Sequence, residues 1–468
     1  MSNRANAGNA KRDRLAEVAV WASGLTWENV PHQVRSAASL HVLDAIGVAV
    51  RSSKLPFGRG LLDGIAASGV DARSNPRGTV IGGANCSDPR TSALVNGALI
   101  HGLEFDDTHM SSVVHGSAVV LPAAIGSIEP DDTTTELLTA YIVGWEILIR
   151  LGLLAPGGYQ SRGFQTAAVC GPLGAAATSS RLKKRDDVAT RNAMAISTSF
   201  AGGLMAYAAD GANIKRIHLG WAAQSGIAAA TLSDWGVDGA TEALEGTYGF
   251  VKSFTGLDVD YGVLESLGSV WEMNNVAFKL YPCCHFIHAY IDCALELRQR
   301  LNVNSIGKLE CYVHPNAIPV IGSSELGVIE ARNLSSVQYN LRLCVALAAC
   351  RGSVSLEGLE SIDGDEEVLK FASKIEIVAA PWMEYPGSFG GFLRCYDEHG
   401  VCLDEVERKS PSATDLSEGD LEAAVMAKFH KNAQGILDDD DQRDIITHLF
   451  DPGEFRAMEW LTLLTKEA

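Results

Sequence analysis

Between Asn96 and Pro122 the chain reads NGALIHGLEFDDTHMSSVVHGSAVVLP. Glu104, Asp106, Asp107, Thr108, His101, His109 and His115 are packed there between apolar, small-residue segments. Burying charge costs free energy unless the charge is paired, so this density beside core-like sequence marks a candidate site. If a helix opening near Ser92 runs on to Thr108, then Asn96, Glu104 and Thr108 recur at offsets of four and eight and share one face. An amide, a carboxylate and a hydroxyl would then point at a common pocket. The alternative is a capping network, in which Asp106, Asp107 and Thr108 only terminate the helix and His115 is a satisfied core histidine.

Two further clusters carry chemistry. In NIKRIHLGWAAQSG, Lys215, Arg216 and His218 precede an apolar helix expected to open near Gly220. Cations at a helix start favour a carboxylate, and Lys215 with His218 can bind an anion or move a proton; the alternative is a basic surface turn. In FKLYPCCHFIHAYID, Lys279, Tyr281, His285 and His288 gather around Pro282. The His285, His288 and Asp292 spacing admits a metal reading, but no HExxH or similar ligand set appears, and no metal is expected. No GxGxxG follows a strand, GSFGGF has the wrong glycine spacing, and neither a Walker A motif nor a GxSxG elbow is present. What remains is His, Lys and carboxylates with no cofactor signature. That set suits proton abstraction next to a carboxylate or carbonyl.

The elements that must position these groups follow from periodicity. Apolar stripes predict helices at 13–24, 34–53, 92–103, 134–151, 167–180, 186–199 and 222–234, with a short helix between Thr26 and Pro31. The turn-rich stretch 69–90 holds TVI, a possible short strand. No run of alternating strands is read before about Val263, so this portion is expected to be a helical bundle. After Trp271 the texture changes. A loop leads into a helix at KLYPCCHFIHAYIDCALELRQRL, KLECYVHP and SKIEIVAA alternate as strands around the helix VQYNLRLCVALAACRG, and GFLRCYDEHGVCLDEVERKS is a hairpin turning at Glu398 to Gly400. From Ser417 the pattern returns to helix, and the acidic run Asp438 to Asp441 reads as a solvated loop or a helix start. The expected fold is mainly α with an α+β part: a helical domain (1–267), an α+β cap (268–410) and C-terminal helices (411–468) that rejoin the bundle.

Composition bounds the class. The 468 residues are 47% hydrophobic and 20% charged, which is a globular composition. A net charge of -19 argues against a nucleic-acid groove, and an anionic substrate would need a local basic pocket. No apolar run reaches the roughly 20 residues of a membrane span, and the polar N-terminus lacks a signal-peptide core, so a soluble, cytoplasmic chain is expected. The ten cysteines are scattered and read as reduced, mostly buried thiols.

The clusters, in their order, resemble the MmgE/PrpD family, which includes 2-methylcitrate dehydratase, cis-aconitate decarboxylase and iminodisuccinate epimerase. The similar segments span nearly the whole chain: LTWENVP, VLDAIGVAV, TSALVNGALIHGLEFDDTH with HGSAVVLPAA, RGFQTAAVCGPLGAAA, KRIHLGWAAQSG, YPCCHFIHAYIDCA and VQYNLRLCVALAACRG. The resemblance implies a large all-helical domain with a smaller α+β lid, a homodimer, a metal- and cofactor-independent site between the domains, and a small di- or tricarboxylate as substrate. It places Glu104 at the acid opening the family's DxDDT motif, with Thr108 and His115 after it, and Lys215 and Lys279 at the family's two lysines. It departs at Glu104, commonly Asp, in a loop to His115 one residue longer than in the decarboxylase branch, at Gln165, where many members have His, and at Leu343, where the family often has an aromatic. Glutamine cannot take a proton.

The mechanism so implied has Lys215, Lys279, Thr108 and backbone NH groups hold substrate carboxylates, with Asn96, Gln165, His218, Tyr281 and His285 completing the site. His115 moves the proton next to a carboxylate, oriented by Glu104 or Asp107. Loss of a β-hydroxyl makes a dehydratase; return of the proton on the opposite face makes an epimerase, with Lys215, Tyr281 or His285 as second carrier. Decarboxylation is the third outcome. Two other classes stay open: a metal-dependent hydrolase using His285, His288 and the acids near Asp107, and a catalytically silent binding protein.

Overall fold

A computed structural model describes residues 12–68, 78–209, 211–322 and 333–465. The chain is mainly helical, with a small α+β part. The helices Arg14–Gly24, His32–Ser53, Pro89–His101, Ser117–Ile125, Thr134–Leu153, Thr166–Leu182, Asp187–Ser197 and Ile214–Asp234 share one continuous apolar core. Their caps are local: Asp13, Asp88 and Asp186 each accept a backbone NH of the first turn, and Thr133 with Glu136 forms a capping box. Small residues let these helices approach closely. A Cβ on Gly220 would overlap the Leu94 carbonyl, and one on Gly97 would overlap the Gly220 backbone. The Pro89–His101 and Ile214–Asp234 helices therefore cross at a glycine-on-glycine contact, which fixes the position of Lys215 relative to His101.

The α+β part has its own apolar core. Its sheet runs in the order Ile375–Ala379, Lys308–Val313, Gly391–Tyr396, Cys402–Arg408, the first pair parallel and the rest antiparallel. Alternation in Lys308–Val313 buries Leu309, Cys311 and Val313, and the helices His288–Arg300 and Leu341–Arg351 share that core. The helices Glu418–Ala433 and Asp439–Phe450 then return to the large helical core through Phe429, Ala433, Ile445 and Leu449. The acidic run opens the second of these, with Asp438 as its cap. All ten cysteines are free thiols; nine are buried and Cys402, on the outer strand of the hairpin, is exposed.

Four local expectations are corrected. The helix expected over 92–103 spans Pro89–His101, and the condition that it run on to Thr108 is not met, since Glu104 beyond it takes a left-handed backbone (φ 50°) that no helix continues through. The helix expected near Gly220 begins at Ile214, so Lys215, Arg216 and His218 stand inside its first turns. The segment between Thr26 and Pro31 makes a single 3₁₀ turn, Trp27–Asn29. TVI is not a strand; beside it Gly78 bridges Cys86, while 69–77 of the turn-rich stretch lie outside the described residues. One pairing was not foreseen. Thr108–His109 runs antiparallel to Val276–Ala277, tying the acidic segment to the residues just before Lys279. Among the described residues no helix is long and apolar enough to cross a membrane.

Candidate active site

The left-handed turn at Glu104 aims its carboxylate at two lysines from distant parts of the chain. Lys215, on the first turn of its helix, donates to Glu104 Oε1. Lys279 Nζ lies 3.4 Å from Glu104 Oε2 and donates to the Glu104 carbonyl at 3.1 Å. A non-glycine residue held in this backbone region costs on the order of 1 to 3 kcal/mol, and such strain gathers at functional sites. All three side chains are buried. Burial opposes the Glu104 charge, but Lys215 and Lys279 outweigh it and hold the carboxyl well below its usual range. Burial pulls the Lys215 ammonium down, partly offset by Glu104, whereas Lys279 ends above its ordinary value because Glu104 and Asp106 overcome its burial.

His101 and Asp106 extend this network. An ammonium only donates, so His101 Nε2 accepts from Lys215 at 2.8 Å and His101 Nδ1–H goes to Asp106 Oδ2 at 2.8 Å. His115 lies beside it, its ring centroid 5.0 Å from that of His101. Its Nδ1 is 3.0 Å from both the Asp107 carbonyl and Thr108 Oγ1. A carbonyl only accepts, so Nδ1 carries the proton and Nε2 keeps its lone pair. Burial pushes the His115 pKa down to about 3, which leaves a neutral imidazole at physiological pH. A neutral histidine with a free Nε2, next to a carboxylate held by two cations, can move a proton beside a bound anion.

Glu104, Thr108, His115, Gln165, Lys215 and His285 line one cavity. Gln165 accepts from His218 Nδ1 at 2.9 Å, and its Nε2 lies 3.5 Å from His101 Nε2. Burial lowers the His218 pKa to about 4. His285 is 2% exposed, and neither ring nitrogen has a hydrogen-bond partner. Lys279 stands behind Glu104, outside the lining.

Three expected site residues point elsewhere. Asn96 is buried on its helix, where its Nδ2 donates to the Thr79 carbonyl and its Oδ1 accepts from Ile81 N. It anchors the 79–81 loop because the helix ends before Glu104 and the shared face never forms. The Asp107 carboxylate accepts from Ser117 Oγ and lies 2.8 Å from His41 Nδ1, facing the helical core, so only its carbonyl orients His115. Tyr281 donates to Asp292 Oδ1 at 2.7 Å, away from the cavity.

Among the described residues the expected metal ligands do not come together either. Asp292 is occupied by Tyr281 and by Ser412, and Asp107 does not meet His285 or His288. His101, Asp106 and His115 do place ligand atoms within 4.8 Å of one another. However, His101 Nδ1 already donates to Asp106, and the Lys215 and Lys279 ammoniums sit beside the group, so a divalent cation would meet like charge.

The mechanism expected from the sequence gives His101 and Asp106 no role, and the spacing of five that joins them was the available signal. It also missed Tyr207, Tyr339, Tyr385 and Phe389, which line the cavity. Lys215 Nζ lies 5.2 Å from the Tyr339 ring centroid. Leu343 is buried in the α+β core and does not reach the cavity, so that departure acts on packing.

The chain belongs to the MmgE/PrpD family: the MmgE/PrpD N-terminal domain matches residues 16–261 and the C-terminal domain matches 281–450. Among curated proteins it is 29% identical to cis-aconitate decarboxylase of Aspergillus terreus over 371 residues, 74% of each chain. It is 34% identical to human cis-aconitate decarboxylase over 238 residues, 49% of this chain and 48% of the other. The mouse cis-aconitate decarboxylase is 31% identical over 270 residues, 56% of this chain and 54% of the other.

Proposed function

We propose that this protein is a cofactor-independent lyase that moves a proton on the carbon next to a carboxylate of a small di- or tricarboxylate. The carrying observation is the neutral His115, its Nε2 free, beside the Lys215–Glu104–Lys279 cluster. Lys215, with Thr108, holds a substrate carboxylate, and Lys279 sets the charge of Glu104. Gln165 and His285 complete the polar lining, and His218, outside it, holds Gln165. When His115 Nε2 takes the proton and a β-hydroxyl leaves, protonated to water, the product is an alkene and the enzyme a dehydratase of the 2-methylcitrate type. When a carboxylate leaves instead as carbon dioxide, the electron pair released takes a proton from the site, and the Lys215 ammonium is placed to supply it. The named activity of the relatives favours this decarboxylase reading. Epimerisation would need a second carrier opposite His115, and His285 is the lining residue with free ring nitrogens for that role.

In this reading residues 268–410 form a lid over the helical domain (1–267, completed by 411–468), since Phe286, Val320, Tyr385 and Phe389 of that part close the cavity. A cytoplasmic location accords with the free thiols. A homodimer accords with the apolar stripe of Ile214, Trp221 and Trp235 on the outer face of the Ile214–Asp234 helix and just beyond it, where Trp221 is 51% and Trp235 73% exposed.

The deciding experiment incubates the protein with a panel of small di- and tricarboxylates in deuterium oxide and follows them by proton NMR. Deuterium entering next to a carboxylate, with loss of water or carbon dioxide, is the expected result. No exchange and no product across the panel would leave a silent binding protein.

A further inference from the structure

The cavity's charge is already balanced from within. Lys215, Lys279 and Lys428 are the buried cations in and behind it, set against the buried carboxylates Glu104, Asp106 and Asp44, and of these Lys215 and Glu104 line the cavity. Lys215 and Lys279 are engaged by Glu104, Lys428 by Asp44, and Arg216 reaches the Gln338 side chain and stacks on Phe57, away from the cavity. Lys215 is the one cation among the described lining residues, and Gln165 adds none. A ligand bringing three negative charges would have to be desolvated against a neutral surround, with a single lysine to face.

Beyond the polar Gln160 and Thr166, much of the remaining wall is apolar or aromatic. Val113, Met205, Val320, Phe286, Tyr385 and Phe389 line it. Three of these form an aromatic stack, with ring centroids 4.1 Å apart for Phe286 and Phe389 and 5.7 Å apart for Phe286 and Tyr385. Phe389 belongs to the GSFGGF segment that no cofactor motif explains. Its backbone is left-handed (φ 52°), rare for a bulky residue, while its neighbour on the C-terminal side is glycine. This strained turn places the ring against Phe286 and His285 at the cavity, 4% exposed.

We infer that the preferred substrate carries no more than two carboxylates together with an apolar or aromatic substituent that packs on the Phe286–Phe389 wall, and is therefore less charged than cis-aconitate. This rests on the reading of the site given above and narrows its substrate class. One carboxylate meets Lys215 and Thr108, and the substituent lies over the aromatic stack.

Calorimetric titration of the full-length protein with 2-benzylsuccinate, succinate and propane-1,2,3-tricarboxylate tests it, each ligand also being followed for deuterium exchange. Benzylsuccinate is expected to bind at least about tenfold more tightly than either of the others, a difference that burial of one phenyl ring readily supplies. Phe389→Ala should erase about tenfold of that preference, whereas Phe389→Leu, which keeps an apolar surface, should retain most of it. Tightest binding of the tricarboxylate overturns the inference; exchange into that tricarboxylate would still leave the proposed proton chemistry standing. Preferred binding of benzylsuccinate without exchange into any ligand supports the ligand class and overturns the chemistry. Failure of all three to bind overturns both.

Discussion

Glu104 and His115 divide the work at the scale of single residues. One carboxylate, forced into a left-handed turn, satisfies two buried ammoniums; one imidazole, with Nδ1 tied to the Asp107 carbonyl, keeps the Nε2 lone pair that the proposed reaction uses as its base. His115→Ala is expected to lower turnover by about 100-fold or more with the fold intact, checked by steady-state kinetics and circular dichroism. Acid sensitivity follows from the same burial. His115 and His218 fall from 6.5 to about 3 and about 4 in the folded chain, so between these values the unfolded chain binds more protons. Their contribution to stability is complete above pH 6.5 and is lost as the pH drops through 4 towards 3. Asp44, raised from 3.8 to about 6, runs the other way over its own range. A His218→Gln variant should therefore lose less melting temperature than the wild type between pH 6.5 and 4. The residue types of this site were legible because charge stood beside core-like sequence. Their partners were not: Lys215 lies 111 positions from Glu104 and Lys279 lies 175, and no spacing rule links them. Asp107 looked like His115's carboxylate partner only because side-chain direction, which turns it to Ser117 and His41, is set by tertiary packing.

Elements set the geometry that the residues use. Periodicity identified the helices and the hairpin, but not where a helix yields to a strained turn, which is why the end at His101 and the start at Ile214 were misplaced. Nor does periodicity show that the C-terminal helix Glu418–Ala433 reaches the site. Its Lys428, 8% exposed, donates to the Phe105 carbonyl at 2.7 Å and to the Lys279 carbonyl at 3.0 Å, and pairs with Asp44. It thus clamps the backbone beside Glu104 to that of Lys279, alongside the two-residue strand pair. Lys428→Met leaves Asp44 buried without its cation and should cost about 3 to 5 kcal/mol in urea unfolding. Adding Asp44→Leu should recover much of that loss but not the activity, because the clamp on the two carbonyls is still missing.

For the molecule as a whole, the division into a helical body and an α+β part was readable from the change of texture after Trp271. The helices Glu418–Ala433 and Asp439–Phe450 pack on the helical core. Surface partnership was not readable, since a stripe such as Ile214, Trp221 and Trp235 looks the same in sequence whether it faces a core or solvent. If that stripe joins two copies, light scattering of the wild type will give twice the chain mass and Trp221→Glu will shift it towards the monomer. An unchanged monomer mass for the wild type would remove the dimer. The distribution of sulfur has a practical consequence. With Cys402 the exposed thiol and the other nine enclosed, a maleimide dye applied to the native protein should couple once, on the hairpin's outer strand. The protein then carries a built-in attachment point on its α+β part, from which energy transfer to an introduced acceptor on the helical body would read any relative motion during turnover without cysteine removal.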